Sequence, residues 1–149
     1  MTTPTENQPE TPVLSTPIVY VVDDDPAVLA AMRALLLVHD YQCELFDSGV
    51  MFLERVAPRT IGCVIADFRM PIVNGEDIHR HLQTENSTLS VIISTGAVDA
   101  EVVDRIQAIG SARVLQKPIP LPQLLAHVAA ACEESRAKFV ATTPGVSDA

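Results

Sequence analysis

Five short apolar runs alternate with amphipathic stretches along this chain, and that alternation restricts its possible folds more than any other feature. Apolar, largely β-branched runs of this length are typical of strands covered on both faces, and we predict them at Ile18–Val22, Tyr41–Phe46, Ile61–Ala66, Leu89–Ser94 and Arg113–Leu115. Each run is followed by apolar residues at helical spacing. The chain is therefore expected to form five strands and five helices in strict alternation.

Residues suited to helix ends mark where the helices begin and stop. Asp25, Ser48 and Asp99 can cap the first, second and fourth helices, and Gly110 stands where a left-handed terminator is expected. The third helix is predicted from Glu76 to about Gln83. The last helix is predicted to run to about Ala131 or beyond.

Strand–helix alternation with short connections predicts a parallel sheet with right-handed crossovers and helices on both faces. The predicted fold is α/β, a flavodoxin-like doubly wound (βα)5 unit with a five-stranded parallel sheet in the order 2-1-3-4-5. A length of 149 residues fits one domain, which we place at residues 18–138. Residues 1–17 and 139–149 are rich in Pro, Ser and Thr, and we predict a disordered arm and tail there.

Composition excludes several classes of protein. The net charge of −9 argues against a nucleic-acid-binding surface, which needs clustered Lys and Arg. No stretch approaches the roughly 18 apolar residues that span a bilayer, and the N-terminus lacks a signal-peptide pattern. The three cysteines, Cys43, Cys63 and Cys132, have apolar neighbours and no metal-type spacing. They are predicted to be small core residues in a reducing compartment, which favours a cytoplasmic location.

Polar side chains follow all five predicted strands, and only those after the second strand, Asp47 and Ser48, are explained by the start of a helix. Asp23 and Asp24 follow the first strand, Asp67 the third, Thr95 the fourth and Lys117 the fifth. In a parallel sheet these strand ends share one edge, so the residues are expected to converge there. Two carboxylates about 4 Å apart repel by roughly 4 kcal/mol at an effective dielectric near 20. A hard divalent cation that takes oxygen ligands, Mg²⁺ or Mn²⁺, would neutralise the charges of these carboxylates.

A hydroxyl and an ammonium group complete a site suited to a phosphoryl group. Thr95 and Lys117 would hold phosphoryl oxygens, because positioning and charge stabilisation dominate catalysis of phosphoryl transfer. Asp67 follows the central strand by itself and is the predicted nucleophile that becomes an acyl phosphate.

These residues resemble the receiver domain of two-component response regulators, the CheY-like superfamily, over roughly Ile18 to Ala131. The matching segments are Val21-Val22-Asp23-Asp24, Ala66-Asp67-Phe68-Arg69-Met70-Pro71 with Asn74-Gly75, Ser94-Thr95-Gly96 and Gln116-Lys117-Pro118. Each segment is weakly specific, but four in this order and spacing form a specific pattern. The interval to Lys117 matches the family when Thr95, rather than Ser94, is the hydroxyl residue.

The resemblance implies a phosphoacceptor, not an ordinary enzyme, that assists its own phosphorylation and dephosphorylation. Asp67 would accept phosphoryl from a phosphohistidine on a sensor kinase or histidine phosphotransfer protein. Asp24 and Asp67 would ligate Mg²⁺, with Asp23 acting partly through water and the Arg69 backbone carbonyl as a further ligand. The Lys117–Pro118 peptide bond would be cis. Signalling to a protein target would run through the face of helix four, strand five and helix five.

One position departs from the family pattern. Relatives usually have Tyr or Phe three residues before the lysine, and this chain has Val114. In relatives the ring swings inward as the Thr hydroxyl approaches the phosphoryl group. Valine cannot make that movement, so signalling is expected to use backbone shifts or a partner that reads the phosphoryl state in another way.

Several alternatives stay open. We expect a single-domain regulator acting in a phosphorelay, since little chain follows the last helix, although truncation of a longer DNA-binding regulator is also compatible. A receiver fold used as a phosphorylation-independent binding module is a second possibility. A haloacid-dehalogenase-type phosphatase would use Asp23-x-Asp25 on the first strand, but no cap insertion is visible. The histidines at positions 39, 79, 81 and 127 are predicted to be surface residues without a catalytic role.

Overall fold

The computed structural model describes residues 16–142 as a five-stranded sheet with helices on both faces. The strands are β1 Ile18–Val22, β2 Gln42–Phe46, β3 Gly62–Asp67, β4 Ser90–Thr95 and β5 Arg113–Gln116. The helices are α1 Pro26–Val38, α2 Gly49–Arg55, α3 Gly75–Thr84, α4 Ala100–Ile109 and α5 Leu121–Ala141. All strand pairs are parallel and the order is β2-β1-β3-β4-β5, which confirms the predicted topology.

Side-chain alternation along the strands divides the core between the two faces of the sheet. On β1, Val19 and Val21 pack with Leu36 of α1 and with buried residues of α5. Tyr20 and Val22 face the other side, where the core includes residues of α2, α3 and α4. Because both faces are covered, the three central strands are buried over nearly their whole length, whereas the edge strands β2 and β5 keep exposed polar residues such as Gln42 and Gln116.

Side-chain caps fix where four helices begin. Asp25, Ser48 and Asp99 each accept a hydrogen bond from a backbone N–H in the first turn, at 2.8–3.1 Å, as the sequence predicted. Helix α3 begins one residue earlier than expected because Asn74 caps it. Asn74 accepts from the Asp77 N–H at 2.9 Å, and the Asp77 carboxylate accepts from the Asn74 N–H at 3.0 Å.

The last helix runs to Ala141, three residues past the predicted domain boundary at residue 138. Ser135 is buried and accepts a hydrogen bond from the Gly62 N–H at 2.9 Å. The Arg59 guanidinium lies 4.1 Å from the Phe139 ring centroid and donates to the Phe139 carbonyl and the Thr142 hydroxyl. These contacts anchor the end of α5. The rest of the predicted arm and tail, residues 1–15 and 143–149, lies outside the described residues.

Two smaller expectations are wrong for reasons of packing. Gly110 is extended (φ 165°, ψ 173°), not left-handed, and the end of the Gln83 side chain of α3 occupies the space where a Cβ would stand. His79 is fully buried rather than at the surface, and its Nε2 is 2.9 Å from the Gly110 carbonyl oxygen. The cysteines are free, with Cys63 and Cys132 buried and Cys43 half-buried, as predicted for core residues.

No helix within residues 16–142 is both long enough and apolar enough to cross a membrane.

Candidate functional site

The carboxyl edge of the sheet gathers three carboxylates from two adjacent strands. Asp67 is the last residue of β3, and Asp23 and Asp24 directly follow β1, its neighbour in the sheet. One carboxylate oxygen from each residue lies within 4.8 Å of the others. Residues 43 positions apart in the sequence therefore share one acidic pocket because parallel strands end on the same edge.

Lys117, which directly follows β5, reaches into this pocket. Its Nζ lies 3.2 Å from an Asp67 oxygen and 3.6 Å from an Asp23 oxygen. Partial burial opposes its charge, but the contacts with Asp67 and then Asp23 outweigh burial and raise the pKa of Lys117. The ammonium group is therefore charged at neutral pH. The Lys117–Pro118 peptide bond is cis, as the resemblance implied.

Asp23 is the most buried of the three carboxylates, with only 5 % of its side chain exposed. It accepts a hydrogen bond from the Asp25 N–H at 2.9 Å, which favours the charged form. Burial acts more strongly in the opposite direction and, together with repulsion from Asp67, raises the pKa of Asp23. The pocket thus holds excess negative charge close to the protein interior.

Asp67 is held in place by its own backbone and by the loop that follows. The Phe68 N–H donates to the Ser94 carbonyl at 2.8 Å, which continues the β3–β4 pairing past Asp67. The Arg69 N–H approaches an Asp67 carboxylate oxygen at 3.5 Å. With 12 % of its side chain exposed, Asp67 is more accessible than Asp23 and directly contacts the lysine. Among the acidic residues of the pocket it is the one best placed to act as a nucleophile.

The two hydroxyl residues at the end of β4 are arranged differently. The Thr95 hydroxyl is buried, donates to the Ala97 carbonyl at 3.1 Å and accepts from the Ala97 N–H at 3.3 Å. It is thus held by the loop after β4, and its role toward a phosphoryl group stays a prediction. Ser94 pairs in register with Asp67, so strand alternation places both side chains on the same face of the sheet. Ser94 is not among the predicted site residues, because the interval to Lys117 favours Thr95.

The donor set fits a hard divalent cation. Three carboxylates and one ammonium group leave the pocket net negative, and carboxylate oxygens suit Mg²⁺ or Mn²⁺ better than zinc. Asp23, Asp24 and Asp67 are the residues that would hold the ion. The Arg69 carbonyl stays a predicted further ligand.

A cleft of about 510 Å³ adjoins the acidic pocket on the face of the sheet that carries α1 and α5. Asp23, Ser94 and Lys117 line it at the sheet edge. Its other walls are mainly apolar side chains of the sheet, of α1 and of the start of α5, including Met32 and Leu124. The cleft could not be predicted from the sequence. A gap between two helices depends on how the helices pack, and helical periodicity does not report their separation.

Comparison with known proteins agrees with this geometry. The family profile for the response regulator receiver domain matches residues 19–129. The chain is 32% identical over 114 residues to the response regulator protein TodT of Pseudomonas putida, covering 76% of this chain and 50% of TodT. It is 28% identical over 117 residues to the transcriptional regulatory protein FixJ of Bradyrhizobium diazoefficiens, covering 78% of this chain and 57% of FixJ.

Among solved structures, the response regulator StyR superposes with a TM-score of 0.77 at 28% identity, over 83% of this chain and 63% of that one. The chain spans little more than half the length of TodT and FixJ, so the similarity concerns one domain of each. The matched residues contain the five-stranded sheet and the whole acidic pocket. The chain therefore belongs to the response regulator receiver domain family of two-component signalling systems.

Proposed function

We propose that Asp67 accepts a phosphoryl group from a phosphohistidine on a sensor kinase or phosphotransfer protein, in a reaction that needs Mg²⁺. The observation that carries the proposal is the contact of Lys117 with Asp67 at 3.2 Å inside a cluster of three carboxylates. A carboxylate nucleophile, a fixed ammonium group and a cation-binding set are the parts that phosphoryl transfer requires.

Each residue has a separate task in this proposal. An Asp67 oxygen attacks phosphorus, the bond from phosphorus to the histidine nitrogen breaks, and the acyl phosphate forms. Lys117 contacts Asp67 and is placed to stabilise the charge on the phosphoryl oxygens. Thr95 would contribute its hydroxyl after releasing Ala97. When bound by Asp23, Asp24 and Asp67, the divalent cation would neutralise negative charge on carboxylates and phosphoryl group.

A small phosphodonor tests this assignment without the natural partner. Incubation with acetyl phosphate or phosphoramidate and Mg²⁺ should add one phosphoryl mass to the intact protein, and EDTA should prevent it. Asp67→Asn should stay unmodified. Asp47→Asn is the matched control, since Asp47 follows β2 at the same edge but lies outside the carboxylate cluster. An unmodified wild-type mass, or modification of Asp67→Asn equal to wild type, contradicts the proposal.

We further propose that the domain acts in the cytoplasm, where phosphorylation switches its binding to protein targets through the α4–β5–α5 face. A role in transcription, which the name of FixJ states for that longer protein, is not part of this proposal. Pull-down with and without Mg²⁺ and beryllofluoride tests the switch.

A second candidate, a receiver fold that binds its partner independently of phosphorylation, is favoured by Val114. This residue is half-buried on β5 and packs against the α3–α4 side of the core in place of the usual aromatic ring. The candidate predicts equal partner affinity with and without beryllofluoride. The phosphatase alternative needs its nucleophile on β1, whereas Asp23 is more buried than Asp67 and lies farther from Lys117. Turnover of a phosphate ester would be required to favour it.

A further inference from the structure

The first residue of α3 lies directly against the backbone of the proposed phosphoacceptor. A Cβ placed on Gly75 would stand 2.9 Å from the Asp67 carbonyl oxygen and 3.3 Å from the Ala66 carbonyl oxygen. These separations leave no room for a side chain. A displacement at the end of β3 is therefore passed to α3 rather than absorbed by a gap, because close-packed interiors transmit strain.

The next residue, Glu76, ties α3 to α4. The Arg105 guanidinium donates two hydrogen bonds to the Glu76 carboxylate, from Nε at 2.9 Å and from Nη2 at 2.8 Å. Arg80 donates a third at 3.1 Å from within α3. Only 11 % of the Glu76 side chain is exposed, yet the hydrogen bonds from Arg105 hold the pKa of Glu76 below its ordinary value. The carboxylate is thus charged and bound in a two-pronged, geometrically specific pair.

A second contact joins the middle of α3 to the residue that follows α4. The ring of His79 on α3 is fully buried, and its Nε2 is 2.9 Å from the carbonyl oxygen of Gly110, which follows α4. Ile106 of α4 is also fully buried, in the same core cluster as Ile78 of α3. The two helices are therefore fixed to one another by the Glu76–Arg105 ion pair, by the contact of His79 with the residue after α4, and by apolar packing.

We propose that α3 and α4 move as one unit, and that the Glu76–Arg105 pair carries a change at Asp67 to α4. The inference rests on the proposed phosphorylation of Asp67. Opening the pair would break two charge-assisted hydrogen bonds to a largely shielded carboxylate and leave Glu76 with the exposed Arg80 as its remaining ion-pair partner, so α4 follows α3 instead of separating from it. This route needs no aromatic side chain at position 114.

Amide NMR spectra of the ¹⁵N-labelled chain, with and without Mg²⁺ and beryllofluoride, test the coupling. In wild type, resonances should shift both around Asp67 and along α4. In Glu76→Gln the shifts around Asp67 should persist, whereas those of Ala100–Ile109 should fall by about half or more, because the pair that carries them is gone. Arg105→Gln should act in the same way, and it leaves Arg80 as a counter-ion for Glu76, so the fold is preserved.

Arg113→Gln is the matched control, because it removes a two-pronged Arg–Glu pair between β5 and α5. Its α4 shifts should equal those of wild type. Full-size α4 shifts in folded Glu76→Gln and Arg105→Gln overturn the coupling while leaving phosphorylation intact. An absence of shifts around Asp67 in wild type overturns the proposed function and the coupling with it. Shifts around Asp67 without any on α4 in wild type overturn the coupling only.

Discussion

Replacing Asp23 by Asn tests the electrostatic account of the pocket directly. The Asp23 carboxylate lies within 4.8 Å of two others, and each such pair repels by about 3.5 kcal/mol at an effective dielectric near 20. Its attraction to Lys117 at 3.6 Å offsets about 4.6 kcal/mol on the same scale. Roughly 2 kcal/mol of net repulsion remains before burial of the charge is considered.

Asn keeps an oxygen that can accept from the Asp25 N–H but removes the charge. Asp24 is exposed and Lys117 is partly exposed, so solvent screens these interactions. Asp23→Asn is therefore expected to raise the free energy of unfolding by about 1–2 kcal/mol. That gain corresponds to a rise in Tm of about 2–8 °C without metal. With Mg²⁺ at about 100 times its Kd, binding should raise the free energy of unfolding of wild type by about 2.7 kcal/mol. The rise should be clearly smaller for Asp23→Asn.

Thermal unfolding in EDTA and then in increasing Mg²⁺ measures both effects. The raised pKa of Asp23 provides a further check on sign: proton uptake relieves the repulsion in wild type, so the advantage of Asp23→Asn should shrink as the pH falls. Asp104→Asn, on the exposed side of α4, controls for the change in net charge. A Tm in EDTA equal to or below wild type would refute the reasoning, as would an undiminished response to Mg²⁺.

Three other perturbations probe the surroundings of the site. Gly75→Ala should lower the free energy of unfolding by about 1–3 kcal/mol in urea titrations, because its Cβ would collide with the Asp67 backbone; an unchanged midpoint would contradict that contact. Ile72→Gly should raise the free energy of unfolding by about 0.5–1 kcal/mol. Ile72 is 89 % exposed at φ 68°, and the left-handed strain that glycine releases exceeds the entropy cost of glycine. A loss of stability would show that the Ile72 side chain makes a stabilising contact. Glu76→Gln should flatten the acid limb of the stability curve: the pKa of Glu76 is lowered from 4.5, so its stabilisation is present above that value and is lost as the pH falls through the folded pKa. Equal acid slopes for wild type and variant would exclude this contribution.

The convergence of the three carboxylates in one pocket could be predicted, because it depends on the direction of the strands more than on the details of side-chain packing. Once β1 and β3 are recognised as parallel strands, the residues that follow them must meet at one edge, whatever the side chains between them do. The same logic brought Lys117 to that edge from β5. Strand direction does not predict the hydrogen bonds of each side chain, such as the one that the Thr95 hydroxyl donates to the Ala97 carbonyl.

Features that depend on the distance between helices were missed or assigned wrongly, and they share one cause. Helical periodicity predicts which face of α3 is buried, but not that His79 on that face contacts the carbonyl oxygen of Gly110, which follows α4. The position of Gly110 after a helix predicts a left-handed terminator, whereas the residue is extended and lies against the side chain of Gln83. Glu76 was placed at a helix start with no indication that Arg105, 29 residues later, would pair with it. Each of these contacts joins α3 to α4 or to the residue that follows it. The interface that we propose to carry the signal is therefore the part of the molecule that local sequence rules describe least.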